Sequence, residues 1–276
     1  MRSKIVFIFL FFCLHPLVNC AKLGSKWFMA TKGKKRILVA DDTPPMRIML
    51  EDVLHEAGYE VGTASDGEEA WNRIVAEPGG WDLIILDLLM PKMTGFEILN
   101  RLKKEAPAPA APVLVITGIF KSEKEIERLR ELGAIGYLTK TALVDEILFR
   151  VNRVFYRGSQ DARHYPRILL ALPVDYAAAE GWMSNYTSTL SAGGCFIRTV
   201  DPLPINRRTE LKFRLPETDE EIRTTAKVVW VNEYDLHRKK IALPGMGLAF
   251  ELIDPEIQRR LDIFIKDRLK KEPMWF

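Results

Sequence analysis

Between Arg36 and Phe155, short apolar runs alternate with amphipathic stretches. Ile37-Leu38-Val39, Leu83-Ile84-Ile85-Leu86 and Val113-Leu114-Val115-Ile116 are unbroken apolar runs, as expected of strands covered on both faces in a parallel sheet. Met46, Met49, Leu50, Val53 and Leu54 recur at helical spacing, as do Val144, Ile147, Leu148, Val151, Val154 and Phe155. Gly58 and Gly133 stand where helix C-caps belong. The strand-helix unit repeats about five times, which predicts an α/β fold, a doubly wound five-stranded parallel sheet. In that architecture the loops after the strands carry the chemistry.

Beyond Tyr156 the period changes. Arg157-Gly158-Ser159-Gln160-Asp161 is polar and reads as a linker over residues 157–162. Apolar residues then alternate with polar ones: Leu211, Phe213 and Leu215; Val228 and Trp230; Leu248, Phe250 and Leu252. Punctuation at Gly193-Gly194, Pro202, Pro204 and Pro216 spaces these strands as in an antiparallel barrel or sandwich, and a helix from Pro255 to about Lys270 closes the chain. Trp182 and Trp230 are expected in this second core, with Cys195 packed in or beside it. The Ala/Pro tract from Ala106 to Pro112 reads as a surface loop.

A length of 276 residues suits two domains, each with a core of its own. The 40 basic residues nearly balance 37 acidic ones, without the basic excess of a nucleic-acid binder. Cys13, Cys20 and Cys195 are odd in number and lack metal-site spacing, which argues against a disulfide framework or zinc and for a reducing compartment. Arg2 and Lys4 precede an apolar run from Ile5 to Leu14, the layout of a secretory signal, too short to span a bilayer comfortably. Residues 1–33 are therefore a signal-like or mis-started segment. Met29-Ala30-Thr31-Lys32-Gly33 is expected to be the natural start of a cytoplasmic protein, an exported or anchored form being the alternative.

Asp41 and Asp42 follow the first strand, Asp87 ends the third, Thr117 ends the fourth and Lys140 follows the fifth, so all five are expected at one sheet edge. A lone Asp after a strand is most often a helix cap, but three carboxylates crowded together call for a cation, and hard oxygen ligands suit Mg²⁺. A carboxylate attacking phosphorus gives an acyl phosphate, and the transferring group then needs positive charge and donors, which Lys140 and Thr117 supply. Over residues 34–156 the chain resembles the receiver domain of two-component response regulators, a flavodoxin-like fold. The resemblance rests on Ile37-Leu38-Val39-Ala40-Asp41-Asp42, Leu86-Asp87-Leu88-Leu89-Met90-Pro91-Lys92-Met93-Thr94-Gly95, Thr117-Gly118 and Tyr137-Leu138-Thr139-Lys140. It implies that Asp87 accepts a phosphoryl group from a sensor histidine kinase, that Asp41, Asp42 and Asp87 bind Mg²⁺, and that Thr117, Tyr137 and Lys140 form the switch. Thr141 replaces the proline usual after this lysine, which leaves the placing of Lys140 to the tertiary structure. A phosphatase of the haloacid dehalogenase type would need a second carboxylate two residues after the nucleophile; Leu89 stands there, so no enzyme is expected.

In the second half, Arg163-His164-Tyr165-Pro166-Arg167 carries two guanidinium groups four residues apart, and Thr189-Leu190-Ser191-Ala192-Gly193-Gly194 offers hydroxyls and flexible backbone. Guanidinium groups bind phosphate and guanine edges bidentately and stack on purines. With Met246-Gly247-Leu248-Ala249-Phe250, these residues resemble the PilZ domain, a small β-barrel that binds cyclic di-GMP. The resemblance implies that residues 163–276 form an all-β antiparallel barrel with a C-terminal helix, and that Arg163, Arg167, Thr189, Ser191 and Gly194 contact the dinucleotide. Thr189 stands where the family has Asp or Asn, so a base contact is expected to be lost. The expected function is a response regulator with a cyclic di-GMP-reading output, acting on an unknown downstream protein, with no nucleic acid or membrane as partner. The alternative is a degenerate barrel that binds protein under control of phosphorylation.

Overall fold

A computed structural model describes residues 33–105, 111–118, 122–155, 165–216, 221–233, 244–271 and 274–275. The signal-like segment with Cys13, Cys20 and Met29, most of the Ala106–Pro112 tract, and the linker 157–162 lie outside these residues.

The first half is a parallel sheet of β1 (Arg36–Ala40), β2 (Glu60–Ala64), β3 (Leu83–Asp87), β4 (Val113–Thr117) and β5 (Gly136–Thr139), in the order β2-β1-β3-β4-β5. Its helices are α1 (Pro44–Glu56), α2 (Gly67–Ala76), α3 (Gly95–Glu105), α4 (Glu123–Glu131) and α5 (Val144–Phe155). The apolar runs are continuous because both faces are covered. Ile37, Val39, Leu83, Ile85, Leu114 and Ile116 pack on Leu50 and Leu54 of α1 and Ile147 and Val151 of α5. Their neighbours Leu38, Ile84, Leu86 and Val115 pack on Ala70, Ile98, Leu99 and Leu129 of α2, α3 and α4. Thr94 and Glu97 cap α3 reciprocally: the Glu97 carboxylate accepts from Thr94 N (2.7 Å), and Glu97 N donates to Thr94 Oγ1 (3.3 Å). Gly58 and Gly133 follow α1 and α4 with φ of 95° and 86°, left-handed conformations that favour glycine.

The second half has β6 (Arg167–Leu169), β7 (Pro173–Ala178), β8 (Gly181–Ser191), β9 (Gly194–Arg198), β10 (Arg208–Arg214), β11 (Glu221–Asn232), β12 (Gly245–Leu252) and α6 (Pro255–Lys271). Strands β8-β7-β10-β11-β12-β9 form a sheet whose ends join through β8–β9, giving a closed six-stranded antiparallel barrel, with β6 added on β8. Val174, Tyr176, Leu190, Ile197, Leu211, Phe213, Val228, Met246 and Leu248 fill it, and Leu261 and Ile265 of α6 complete the core.

Two expectations about this core fail. Trp230 is 44% exposed, because a bulge between Val228 and Trp230 inserts Val229 opposite a single step of β12, from Leu248 to Gly247, and turns the alternation over. Trp182 is 46% exposed on β8 beside the Gly181 turn, where Lys212 Nζ lies 3.4 Å from its ring centroid. Leu252, at the end of β12, is exposed as well.

Candidate functional site

Parallel strands point their carboxyl ends the same way, so Asp41 and Asp42 after β1, Asp87 at the end of β3, Thr117 at the end of β4 and Lys140 after β5 share one edge. Asp41 and Asp87 are buried and Asp42 is exposed. Each carboxylate offers an oxygen, and the three oxygens lie within 4.8 Å of one another. Lys140 Nζ donates to Asp87 Oδ2 at 2.8 Å and lies 2.9 Å from Asp41 Oδ2. Lys140 is thus directed into the cluster with threonine, not proline, behind it.

Local bonds explain why these groups stay in place. Asp41 Oδ1 accepts from Thr43 N at 2.8 Å, and Arg47 Nη1 donates to the Asp41 carbonyl at 2.7 Å. The loop after β3 returns tightly: Gly95 N donates to Leu88 O at 3.0 Å, and a Cβ on Gly95 would overlap the Asp87 carbonyl. Lys140 N donates to Thr117 O at 2.9 Å, tying the ends of β4 and β5 together.

Burial pushes the Asp87 carboxyl above the usual range, Lys140 pulls it back, and the neighbouring Asp41 adds to the rise. Burial works against the Lys140 charge, but the hydrogen bond to Asp87 and attraction from Asp87 and Asp41 hold its pKa above the ordinary value. Asp41 Oδ2, although in ion-pair range of Lys140, has no aligned hydrogen-bond donor among the described residues. A buried anionic oxygen with spare acceptor capacity, beside two further carboxylates on an edge open at Asp42, fits a hard divalent cation such as Mg²⁺.

In the barrel, Arg163 lies outside the described residues. Arg167 on β6 is exposed and pairs in register with Ser191, while Thr189 pairs with Leu169 and, on its other side, with Phe196. Ser191 is buried, and its hydroxyl donates to the Gly194 carbonyl at 3.0 Å. Gly194 is buried where β9 pairs with β12, and a Cβ there would overlap the Leu248 carbonyl. Ser191 and Gly194 therefore hold the hairpin together, while Arg167 and Thr189 face outward or partly outward. Burial pushes the Cys195 thiol up to about 12, so this cysteine is core packing, not a nucleophile.

Residues 37–152 match the family model of the response regulator receiver domain, and residues 161–267 match that of the PilZ domain. The chain carries a receiver domain followed by a PilZ domain. Both are regulatory, non-catalytic families. The chain is similar to the alkaline phosphatase synthesis transcriptional regulatory protein PhoP of Bacillus subtilis, 37% identical over 126 residues, 45% of this chain and 50% of that protein. It is similar also to the DNA-binding dual master transcriptional regulator RpaA of Synechocystis, 36% identical over 133 residues, 47% of this chain and 54% of that protein. The chain thus spans about half the length of these curated relatives. Among solved structures, chemotaxis protein CheY4 of Vibrio cholerae is 33% identical, covering 44% of this chain and 99% of that one, with a TM-score of 0.41.

Around the receiver cluster, sequence reasoning missed Thr43, whose hydroxyl lies 3.4 Å from Lys140 Nζ, and Arg47 on the Asp41 carbonyl. It also missed Lys92, which has φ 65° in the β3–α3 loop and an ion pair of 2.7 Å with Asp66. Position alone could have found Thr43, one residue past the acidic pair; the Lys92–Asp66 contact joins loops 26 residues apart, and no local pattern marks it. On the PilZ barrel the missed feature is the outward aromatic pair Phe196 and Trp230, ring centroids 5.3 Å apart. Among the described residues, no helix is long and apolar enough to cross a membrane.

Proposed function

We propose that this chain is a two-component response regulator phosphorylated on Asp87 by a histidine kinase, with a PilZ output that reads cyclic di-GMP. The boundaries proposed are 34–156 for the receiver, 157–162 for the linker and 163–276 for the barrel with its helix. The observation that carries the reading is the ion pair of Lys140 with buried Asp87 inside a cluster of three carboxylates. An Asp87 carboxylate oxygen attacks the phosphorus of a phosphohistidine or of acetyl phosphate; a P–O bond forms, the bond to the leaving imidazole or acetate breaks, and an acyl phosphate results. Asp41, Asp42 and Asp87 would hold Mg²⁺, which when bound supplies charge for the phosphoryl oxygens. Lys140 supplies a second positive charge at the acceptor atom, and the Thr117 hydroxyl a donor; Tyr137 completes the switch. Incubation of the full chain with acetyl phosphate and Mg²⁺ is expected to give one phosphoryl adduct by intact mass and none in EDTA. An adduct that forms equally well in EDTA would contradict the metal's role.

For the barrel, Arg163 and Arg167 would grip the phosphates or guanine edges of cyclic di-GMP, with Thr189 at the base. Threonine has less reach than the Asp or Asn it replaces, and one lost contact of about 1–3 kcal/mol weakens binding by about fivefold to 150-fold. A second reading, a barrel that binds protein instead, is favoured by the Ser191 hydroxyl, which is buried and already committed to Gly194. Calorimetry of the full chain with cyclic di-GMP separates them. Weak binding that is lost in Arg163→Ala and Arg167→Ala supports the first; absence of heat in all three proteins supports the second. The relatives' DNA-binding and transcriptional roles are not carried over, since about half of each lies outside the match.

A further inference from the structure

The parallel sheet has an open edge at β5, where a short strand of another segment can add by backbone pairing. The chain's own C-terminus takes that place. Met274 forms an antiparallel bridge with Gly136, and Trp275 N donates to Ile135 O at 2.7 Å. The two side chains then enter opposite faces of the sheet, as the period of a strand requires. Met274 is 7% exposed and joins the core of Ile37, Leu138, Ile147 and Val151. Trp275 packs on the other face, its ring centroid 5.9 Å from that of Tyr137. α6 ends at Lys271, three positions before Met274, so the bridge lies close in sequence to the end of the barrel's helix. A second contact joins the barrel to the receiver. Arg198 at the end of β9 donates from Nη2 to Asp145 Oδ2 of α5 at 3.1 Å.

β5 also carries the acceptor chemistry. Its four residues run from Gly136, the bridge to the tail, to Thr139, and the next residue is Lys140, bound to Asp87 and Asp41. A phosphoryl group on Asp87 would give Lys140 new anionic oxygens and draw it from Asp41, and this displacement is applied to the strand on which the tail sits. We propose that the β5 edge and Tyr137 are a dock for the C-terminal tail, Met274–Trp275, and that phosphorylation of Asp87 loosens this dock and frees the PilZ barrel from the receiver. The coupling rests on the acceptor reading above; the dock does not. By linkage, the factor by which the acyl phosphate weakens docking is the factor by which docking disfavours the acyl phosphate at equilibrium.

The test is hydrogen exchange by mass spectrometry on the full chain, reading a C-terminal peptide with Trp275 and a peptide covering β5. In the unmodified protein the Trp275 amide is expected to exchange at least about tenfold more slowly than an unstructured amide, and Trp275→Ala is expected to raise exchange in β5, with Trp275→Phe restoring protection. After acetyl phosphate and Mg²⁺, molecules carrying the adduct are expected to lose tail protection about fivefold or more, within the usual range of coupling between sites. Free exchange at Trp275 in the unmodified chain overturns the dock. Protection that rises with protein concentration assigns the tail to a second copy and overturns the intrachain contact. Unchanged protection in adduct-bearing molecules overturns the coupling. No adduct at all sinks the acceptor reading and the coupling together, while the dock is judged on the unmodified chain.

Discussion

Asp87→Asn is expected to remove phosphoryl incorporation from acetyl phosphate to background while leaving the chain folded. The carboxamide matches the carboxylate in shape, but its oxygen is a poor nucleophile and its nitrogen carries no free lone pair for attack on phosphorus. The fold should tolerate the change because Asp87 is a buried carboxylate close to a second one, Asp41, and losing one of two like charges relieves repulsion. Lys140 keeps its ion pair with Asp41 at 2.9 Å, so no cation is stranded. The thermal midpoint is therefore expected within a few degrees of wild type or above it, which corresponds to about 1 kcal/mol or less. The measurement is intact mass after incubation with Mg²⁺, beside a melting curve. Undiminished labelling of the variant would move the acceptor away from Asp87.

The largest expected effect on stability is at Gly194. An added methyl group would overlap the Leu248 carbonyl and press on Ala249 Cα, both backbone atoms of the neighbouring strand, so neither can rotate away. Gly194 pairs with Ala249 on one side and Ser191 on the other, at the point where β9 links β12 to β8 and closes the barrel. Gly194→Ala is expected to destabilise the PilZ domain by about 2–3 kcal/mol, the scale of overpacking in a closed core. Ser191→Ala loses one buried hydrogen bond and is expected to cost about 1 kcal/mol. Denaturant unfolding followed by the barrel's tryptophan emission checks both. If Gly194→Ala unfolds like wild type, the pairing of β9 with β12 is looser than its geometry implies, and the glycine serves a ligand instead.

The contrast between these two sites explains what could be read in advance. Asp41, Asp42, Asp87, Thr117 and Lys140 each end a strand or lie within two residues of its end, and a parallel sheet aligns all strand ends, so identifying the strands was enough to bring the residues together. In the barrel no such rule applies. Strands of alternating polarity declare an inside and an outside, but a bulge shifts one face to the other without a distinctive local sequence, and Trp230 came out on the surface for that reason. Ser191 and Gly194 are ambiguous for a related reason: a hydroxyl and a glycine that suit a ligand also suit a tight hairpin, and only the distances to Gly194 O and Leu248 O tell which job is being done.

Taken alone, apolar periodicity determined the parallel sheet and, through the common direction of its strands, the carboxylate cluster; it left the second half as an antiparallel barrel or sandwich, and the resemblance to the PilZ domain pointed to the barrel. The tertiary structure decided how Lys140 reaches Asp87 with Thr141 behind it, and that Ser191 is spent inside the barrel. It alone decided that Met274 and Trp275 lie on the β5 edge. Two residues after a helix carry no periodicity of their own. Their partners, Gly136 and Ile135, are more than a hundred residues away, and only chain packing brings them together.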